Sequence, residues 1–234
     1  MGVAVLQARL IESREIAPEI RHFVFDVPEV EQLPYVPGQF VSFSGVFSEK
    51  KITRAYSTAS PPCGNRFELC LNRVEDGFFS PYLFDLKPGA MIDMKGPLGH
   101  FVLRHPPNDT IFVATGTGIA PFRAMLLGHL EANPDRQFTL VFGVRFERSL
   151  LYRAEFEQLT GHYPNFRFHP TLSRPDESWK GLTGLVQQHV LDTLGDRRDM
   201  DVYICGMKAM VDDMRARLKD LGLERRQIIF EKYD

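Results

Sequence analysis

Seven consecutive residues, Arg54-Ala55-Tyr56-Ser57-Thr58-Ala59-Ser60, carry a permanent cation, a flat aromatic ring and a hydroxyl within a short β-like segment. Residues two apart in a strand point to one face, so Arg54 and Tyr56 can address the same ligand while Ser57 reaches its edge. A guanidinium suits a pyrophosphate because it donates two parallel, charge-assisted hydrogen bonds. A tyrosine ring can lie against a flat heterocycle, and a serine hydroxyl donates or accepts one hydrogen bond. These are the needs of a flavin nucleotide, anionic at one end and planar at the other. The competing reading is an ordinary barrel strand with an exposed arginine and a half-buried tyrosine.

A second candidate is Asp76-Gly77-Phe78-Phe79-Ser80-Pro81. Ser80 reads as an N-cap and Pro81 as the first residue of a helix running to Leu86. Helix starts bind phosphate through free N–H groups and the dipole, and Gly77 lets the backbone approach closely. A plain capped helix is the alternative, and a pyrophosphate shared with Arg54 explains the pair better.

The third candidate is Ala114-Thr115-Gly116-Thr117-Gly118-Ile119-Ala120-Pro121, after the strand-like Ile111-Phe112-Val113 and before an amphipathic run. Strand, glycines, then helix is the context of a nucleotide-binding turn. Pro121 stands where the dinucleotide fingerprint has its third glycine, and proline is welcome in a first helical turn. The following strand ends in Val144-Arg145 where an NAD-selective fold usually carries an acid, and Ser173-Arg174 sits comparably after the next strand. Arginines suit a 2′-phosphate; two solvated arginines are the competing reading. Cys205-Gly206-Met207 closes a further strand at the ligand-binding edge of such sheets. A cysteine there is more often a packing residue than a catalytic one.

The elements that must position these residues fall into two halves. Strand patterns cover Val3–Glu12, Ile20–Val27, Gln39–Phe43, Arg66–Val74 and Met91–Lys95, punctuated by Pro37-Gly38, Pro61-Pro62-Cys63-Gly64-Asn65 and Lys87-Pro88-Gly89. This spacing predicts an antiparallel β-barrel over residues 1–104. The polar stretch Arg104-His105-Pro106-Pro107-Asn108-Asp109 reads as the boundary. Beyond it, over 105–234, strands at Ile111–Ala114, Phe138–Phe142, Phe166–Pro170, Val202–Cys205 and Ile228–Phe230 alternate with helices. The helices fit Ala120–Ala132, Leu151–Gln158, Val186–Leu194 and Lys208–Leu221. Alternation of this kind predicts an α/β domain with a doubly wound parallel sheet.

The totals exclude several classes. A length of 234 residues fits one large domain or two of ordinary size. A net charge of −2 gives no support for nucleic-acid or membrane binding, and no stretch reaches the roughly 20 apolar residues of a spanning helix. Met1-Gly2-Val3 opens without a basic lead, so a cytoplasmic protein is expected. Cys63, Cys70 and Cys205 are too few for a disulfide framework or an iron–sulfur cluster, and the seven histidines lack metal spacing.

Taken in order, Arg54-Ala55-Tyr56-Ser57, Gly77-Phe78-Phe79-Ser80, Gly96-Pro97-Leu98-Gly99, Gly116-Thr117-Gly118-Ile119-Ala120-Pro121, Cys205-Gly206-Met207 and Phe230-Glu231-Lys232-Tyr233 resemble one family over nearly the whole chain. It is the ferredoxin–NADP(+) reductase superfamily, a flavin-binding barrel followed by a pyridine-nucleotide domain. The resemblance implies that Arg54 holds the FAD phosphates, Tyr56 packs on the isoalloxazine and Ser57 hydrogen-bonds near flavin N5. Gly77, Phe78, Phe79 and Ser80 bind the pyrophosphate, and Ala55, Asn72 and Arg73 join the flavin-binding set. Thr115, Gly116, Thr117, Gly118 and Pro121 cradle the NADP or NAD phosphates, with Arg145, Ser173, Arg174, Gly206 and Met207 completing the nucleotide set. Cys205 sits beside the nicotinamide, Glu231 near the reacting rings and Tyr233 close to the flavin, although this chain runs past the aromatic terminus of plant-type members to Asp234. Ser57, Cys205 and Glu231 form the expected catalytic group, brought together in a cleft between the domains. The implied chemistry is hydride exchange between nicotinamide C4 and flavin N5, then single electrons to or from a separate soluble ferredoxin or flavodoxin. An NAD(P)H:flavin reductase, the reductase component of an oxygenase, and an electron-transfer module without turnover are the alternatives.

Overall fold

The computed structural model describes residues 4–47 and 49–233. Met1, Gly2, Val3 and Asp234, which entered the sequence reading, lie outside the described residues. Two compact units emerge, the first made of the described residues up to Val102 with Ala120–Gly128, the second of Leu103–Ile119 with those from His129 on. The sequence boundary at 104 and 105 falls beside this division, but the helix after the glycine turn groups with the first unit.

The first unit is built from β1 (Leu6–Ala17), β2 (Ile20–Asp26), β3 (Phe40–Phe47), β4 (Lys50–Ser57), β5 (Arg66–Asn72), the short helix α1 (Phe79–Asp85) and β6 (Met91–Leu98). The sheet is antiparallel throughout, in the order β4-β3-β6-β1-β2-β5. Its outer strands meet where Thr58 bridges Leu69 and the Ala59 N–H donates to the Glu68 carbonyl at 2.7 Å. That seam closes the barrel and removes the exposed edge an open sheet would leave. β1 runs five residues past the alternation seen in the sequence, because register shifts at Leu10/Glu12 and Glu15/Ala17 break the period of two.

Alternate residues of these strands turn inward onto an aromatic core. Phe25 stacks on Phe67 at 5.5 Å and meets Phe43 edge-on at 5.1 Å; Phe43 in turn packs on Tyr56 at 5.9 Å. Buried rings of this size contribute area and fixed mutual geometry. They therefore decide where the Tyr56 ring can lie.

The second unit carries β7 (Thr110–Thr115), a 3-10 turn at Gly116–Ile119, β8 (Phe138–Val144), α3 (Arg153–His162), β9 (Phe166–Leu172), β10 (Leu182–Thr183), α4 (Val186–Leu194), β11 (Asp201–Met207), α5 (Lys208–Asp220) and β12 (Ile228–Tyr233). The helix α2 (Ala120–His129) runs on from the 3-10 turn. All strand pairs are parallel, in the order β10-β9-β8-β7-β11-β12. Ile111, Phe112, Val113 and Ala114 are all fully buried, as a parallel strand covered on both faces demands. The chain winds outward from β7 through β8 and β9, then returns to the other side of β7 with β11. The switch point thus lies between the C-terminal ends of β7 and β11, where such sheets bind ligands. No helix among the described residues is long and apolar enough to cross a membrane.

Candidate functional site

On the barrel, β4 leaves Arg54 and Ala55 exposed, Tyr56 half-buried and Ser57 buried. Arg54 Nη1 donates to the Thr53 carbonyl at 2.9 Å, which holds the guanidinium along the strand. The Tyr56 ring is backed by Phe43 and by Phe79 at 6.4 Å. Burial raises its pKa above the ordinary phenol value, against a smaller lowering by Arg54, so the hydroxyl stays protonated at neutral pH. A fixed flat ring beside an exposed guanidinium fits a ligand with one planar and one anionic end.

The helix after β5 starts earlier than the sequence implied, at Phe79, with Phe78 in the N-cap position and no side-chain cap. Ser80 is therefore not the N-cap and Pro81 not the first helical residue. The Ser80 hydroxyl instead accepts from the Val74 N–H at 2.9 Å, bending the loop back on the helix. Gly77 closes that turn through its own N–H to the Val74 carbonyl at 2.9 Å. A Cβ there would lie 3.0 Å from that carbonyl oxygen, which leaves little room for a larger residue. Phe78 is exposed and Phe79 buried. Asn72 and Arg73 are exposed at the end of β5; the Arg73 N–H donates to the Glu19 carbonyl at 2.8 Å and its guanidinium lies 6.0 Å from the Phe84 ring centre.

In the second unit the switch point is packed to glycine tolerance. A Cβ on Gly118 would sit 2.4 Å from the Cys205 carbonyl oxygen and 2.8 Å from Gly206 Cα. Gly206, at φ +141°, faces Thr115, whose Oγ1 would lie 2.2 Å from an added Cβ. Thr115 Oγ1 also accepts from the Met207 N–H at 3.3 Å, pinning the ends of β7 and β11 together. Gly116 is the opposite case: at φ +54° its added Cβ would meet nothing within 4 Å. The turn is thus closed behind and open in front, at the start of a helix, which fits a nucleotide pyrophosphate. Thr117 is half-buried within the turn and Pro121 is buried in the first turn of α2.

Cys205 is fully buried in β11 and stands in register with Glu231 of β12, as Met207 does with Tyr233. Its pKa is pushed well above the ordinary thiol value, chiefly by burial and next by the Glu231 charge, while a hydrogen bond with Tyr233 opposes them. The group is therefore a neutral thiol at physiological pH. The end of β12 is held on α5: Lys232 Nζ lies 2.7 Å from Asp212 Oδ1 and the Arg215 guanidinium 3.6 Å from the centre of the Phe230 ring.

Arg145 and Arg174 are both exposed and joined through the backbone, the Arg174 N–H donating to the Arg145 carbonyl at 2.9 Å. The exposed Ser173 does the same to Val144 at 3.0 Å. Arg174 lines a cavity of about 510 Å³ with Phe146, Glu147, Arg148, Pro175 and Asp176. Arg148, which sequence reasoning passed over, sits 4.5 Å above the Phe146 ring. Its signal was an arginine four residues beyond the end of β8, too common to single out.

Comparison with known proteins finds two family matches along the chain. Residues 7–103 match the oxidoreductase FAD-binding domain and residues 112–216 the oxidoreductase NAD-binding domain. The chain is 37% identical over 238 residues to ferredoxin–NADP reductase B of Sorangium cellulosum, covering 97% of each chain. It is 33% identical to the phenol hydroxylase P5 protein of Acinetobacter pittii, covering 97% of this chain and 65% of that one. A ferredoxin NADP+ reductase from Neisseria gonorrhoeae with bound FAD and NADP has the same fold, with a TM-score of 0.82, 24% identity and 99% of both chains covered. The chain therefore belongs to the ferredoxin–NADP reductase superfamily and is an oxidoreductase that uses FAD and a pyridine nucleotide.

Proposed function

We propose that this chain exchanges reducing equivalents between NADPH and bound FAD, and single electrons between that FAD and a separate ferredoxin or flavodoxin. The observation that carries the reading is the two-way coverage of 97% with a ferredoxin–NADP reductase. Bound FAD would supply the hydride-accepting and single-electron chemistry of the site, which is the cofactor's own.

The residues of this chain supply binding and orientation. Arg54 and the Gly77–Ser80 turn would hold the FAD phosphates, with Asn72 and Arg73 beside them. Tyr56, fixed by Phe43 and Phe79, would lie against the flavin ring, and Ser57 would meet its edge. The Gly116–Pro121 turn would take the nucleotide pyrophosphate, and Arg174 with Arg148 the 2′-phosphate, since both line one cavity. Arg145 supports Arg174 through its carbonyl. Cys205, as a neutral thiol bonded with Tyr233, would pack beside the nicotinamide and exclude water rather than act as a nucleophile. Glu231 supplies a charge next to it. Orientation of two bound rings accounts for most of the rate such a site needs.

A reductase component serving an oxygenase is the second reading, favoured by the 33% identity with the phenol hydroxylase P5 protein. Cytochrome c reduction by NADPH and by NADH, with and without added ferredoxin, separates the readings. Strong stimulation by ferredoxin supports the first; activity that ferredoxin leaves unchanged contradicts it.

A further inference from the structure

Arg123 lies one turn into α2, and its side chain is 11% exposed. Its Nη1 donates to the Ala59 carbonyl and to Glu68 Oε2, each at 2.6 Å. These partners sit on the seam that closes the barrel. Ala59 follows Ser57 by two residues, and Glu68 lies in β5, where its own N–H donates to Ser60 Oγ at 3.1 Å. The Glu68 carboxylate has a histidine nearby, His22 Nε2 at 3.6 Å, but that ring is no counter-charge. Burial first, then the Arg123 and Arg14 charges, push the His22 pKa down to about 3. Among the described residues, Arg123 is the permanent cation paired with Glu68, and it also donates a charge-assisted bond to the backbone just past Ser57.

The helix bearing Arg123 begins at the glycine turn, and an anion seated there bonds to the N–H groups of its first turn. A helix moves as a rod, so one guanidinium transmits its placement to the Ser57–Ser60 backbone. We propose that Arg123 is a positioning residue that couples nucleotide phosphate at the Gly116–Pro121 turn to the seating of flavin on the Arg54–Ser57 strand. This rests on the reading that those two segments take the nucleotide and the FAD. Coupling of this kind is a free energy shared by two sites, and it is reciprocal.

The test uses the holoenzyme and 2′-phospho-ADP-ribose, which carries the pyrophosphate but no nicotinamide to touch the flavin. The rate of FAD release on dilution is followed by flavin fluorescence, with and without the probe, in wild type, Arg123→Gln, Arg123→Lys and Glu68→Gln. The probe slows FAD release about 5-fold or more in wild type, the low end of typical coupling. The ratio falls to about 1 in Arg123→Gln, and Arg123→Lys restores part of it, whereas a loss of stability alone would speed release equally with and without the probe. Should Arg123→Gln fail to fold, Glu68→Gln carries the test, with a ratio below that of wild type expected. A wild-type ratio of 1 with both ligands bound, or a wild-type ratio in the glutamine variants, overturns the proposal. A wild-type chain that binds no FAD overturns the functional reading beneath it.

Discussion

Two glycines of one turn are expected to fail in opposite ways when given a methyl group. In Gly118→Ala the new Cβ falls 2.4 Å from the Cys205 carbonyl oxygen, about 1 Å inside ordinary contact. The obstacle is backbone, so β11 or the turn must shift, and overpacking of this sort costs about 1–3 kcal/mol. In Gly116→Ala the methyl group meets nothing within 4 Å, so the cost is that of a left-handed residue at φ +54°, about 1–2 kcal/mol. The same methyl group occupies the open front of the turn. Losing one charge-assisted phosphate contact there removes about 1.5–3 kcal/mol of binding, a factor of about 10–150. Calorimetric titration with NADP+ and thermal melting, applied to both variants, separate the two costs. Gly116→Ala is expected to melt about 2–8 °C below wild type, the cost of its left-handed backbone, and to bind NADP+ at least about 10-fold more weakly. A Gly116→Ala protein that binds NADP+ as wild type does would refute the reasoning, as would a Gly118→Ala protein with an unchanged melting temperature.

Arg174→Ala and Arg148→Ala should each weaken kcat/KM for NADPH by about 10-fold or more while sparing NADH, by the scale for charged hydrogen bonds; equal losses with both nucleotides would exclude the 2′-phosphate role. Cys205→Ser should retain FAD but slow its reduction by NADPH, up to about 100-fold if the nicotinamide shifts by an ångström. Early melting with a wild-type reduction rate in stopped flow would make Cys205 a packing residue only. The buried His22 has a folded pKa of about 3, below its unfolded value of about 6.5, so the unfolded chain binds the extra proton between those values. Its contribution is whole above about pH 6.5 and is lost towards pH 3, at about 1.4 kcal/mol per pH unit. Urea unfolding at pH 6.5 and 5 should show a smaller loss in His22→Gln than in wild type, and equal losses would contradict the assignment.

What the sequence made readable was periodic or local. The alternation of the barrel strands, the solid apolar runs of β7 and β8 and the strand–glycine–helix order at Gly116 follow from chain-local geometry, and α4 falls where its pattern put it. The start of α1 misled because Ser80 before Pro81 has the residue types of a cap, whereas the serine hydroxyl is taken by Val74 six residues back. β10 escaped because two residues carry no period. Arg123 and Arg148 were invisible for a different reason. Each matters through a partner or cavity assembled from distant segments, Ala59 and Glu68 for the first and the Arg174–Asp176 loop for the second. Local patterning holds no record of such pairs.

The central claim is that this chain holds FAD and moves electrons between NADPH and a one-electron carrier protein. Anaerobic stopped flow of the purified holoenzyme tests it most directly: NADPH is mixed with the protein, and oxidised ferredoxin is added in a second mix. Bleaching of the FAD absorbance within the first mix, then its return as ferredoxin is reduced, is the predicted result. A flavin that NADPH does not bleach, or one that bleaches and stays reduced while ferredoxin remains oxidised, would contradict the account.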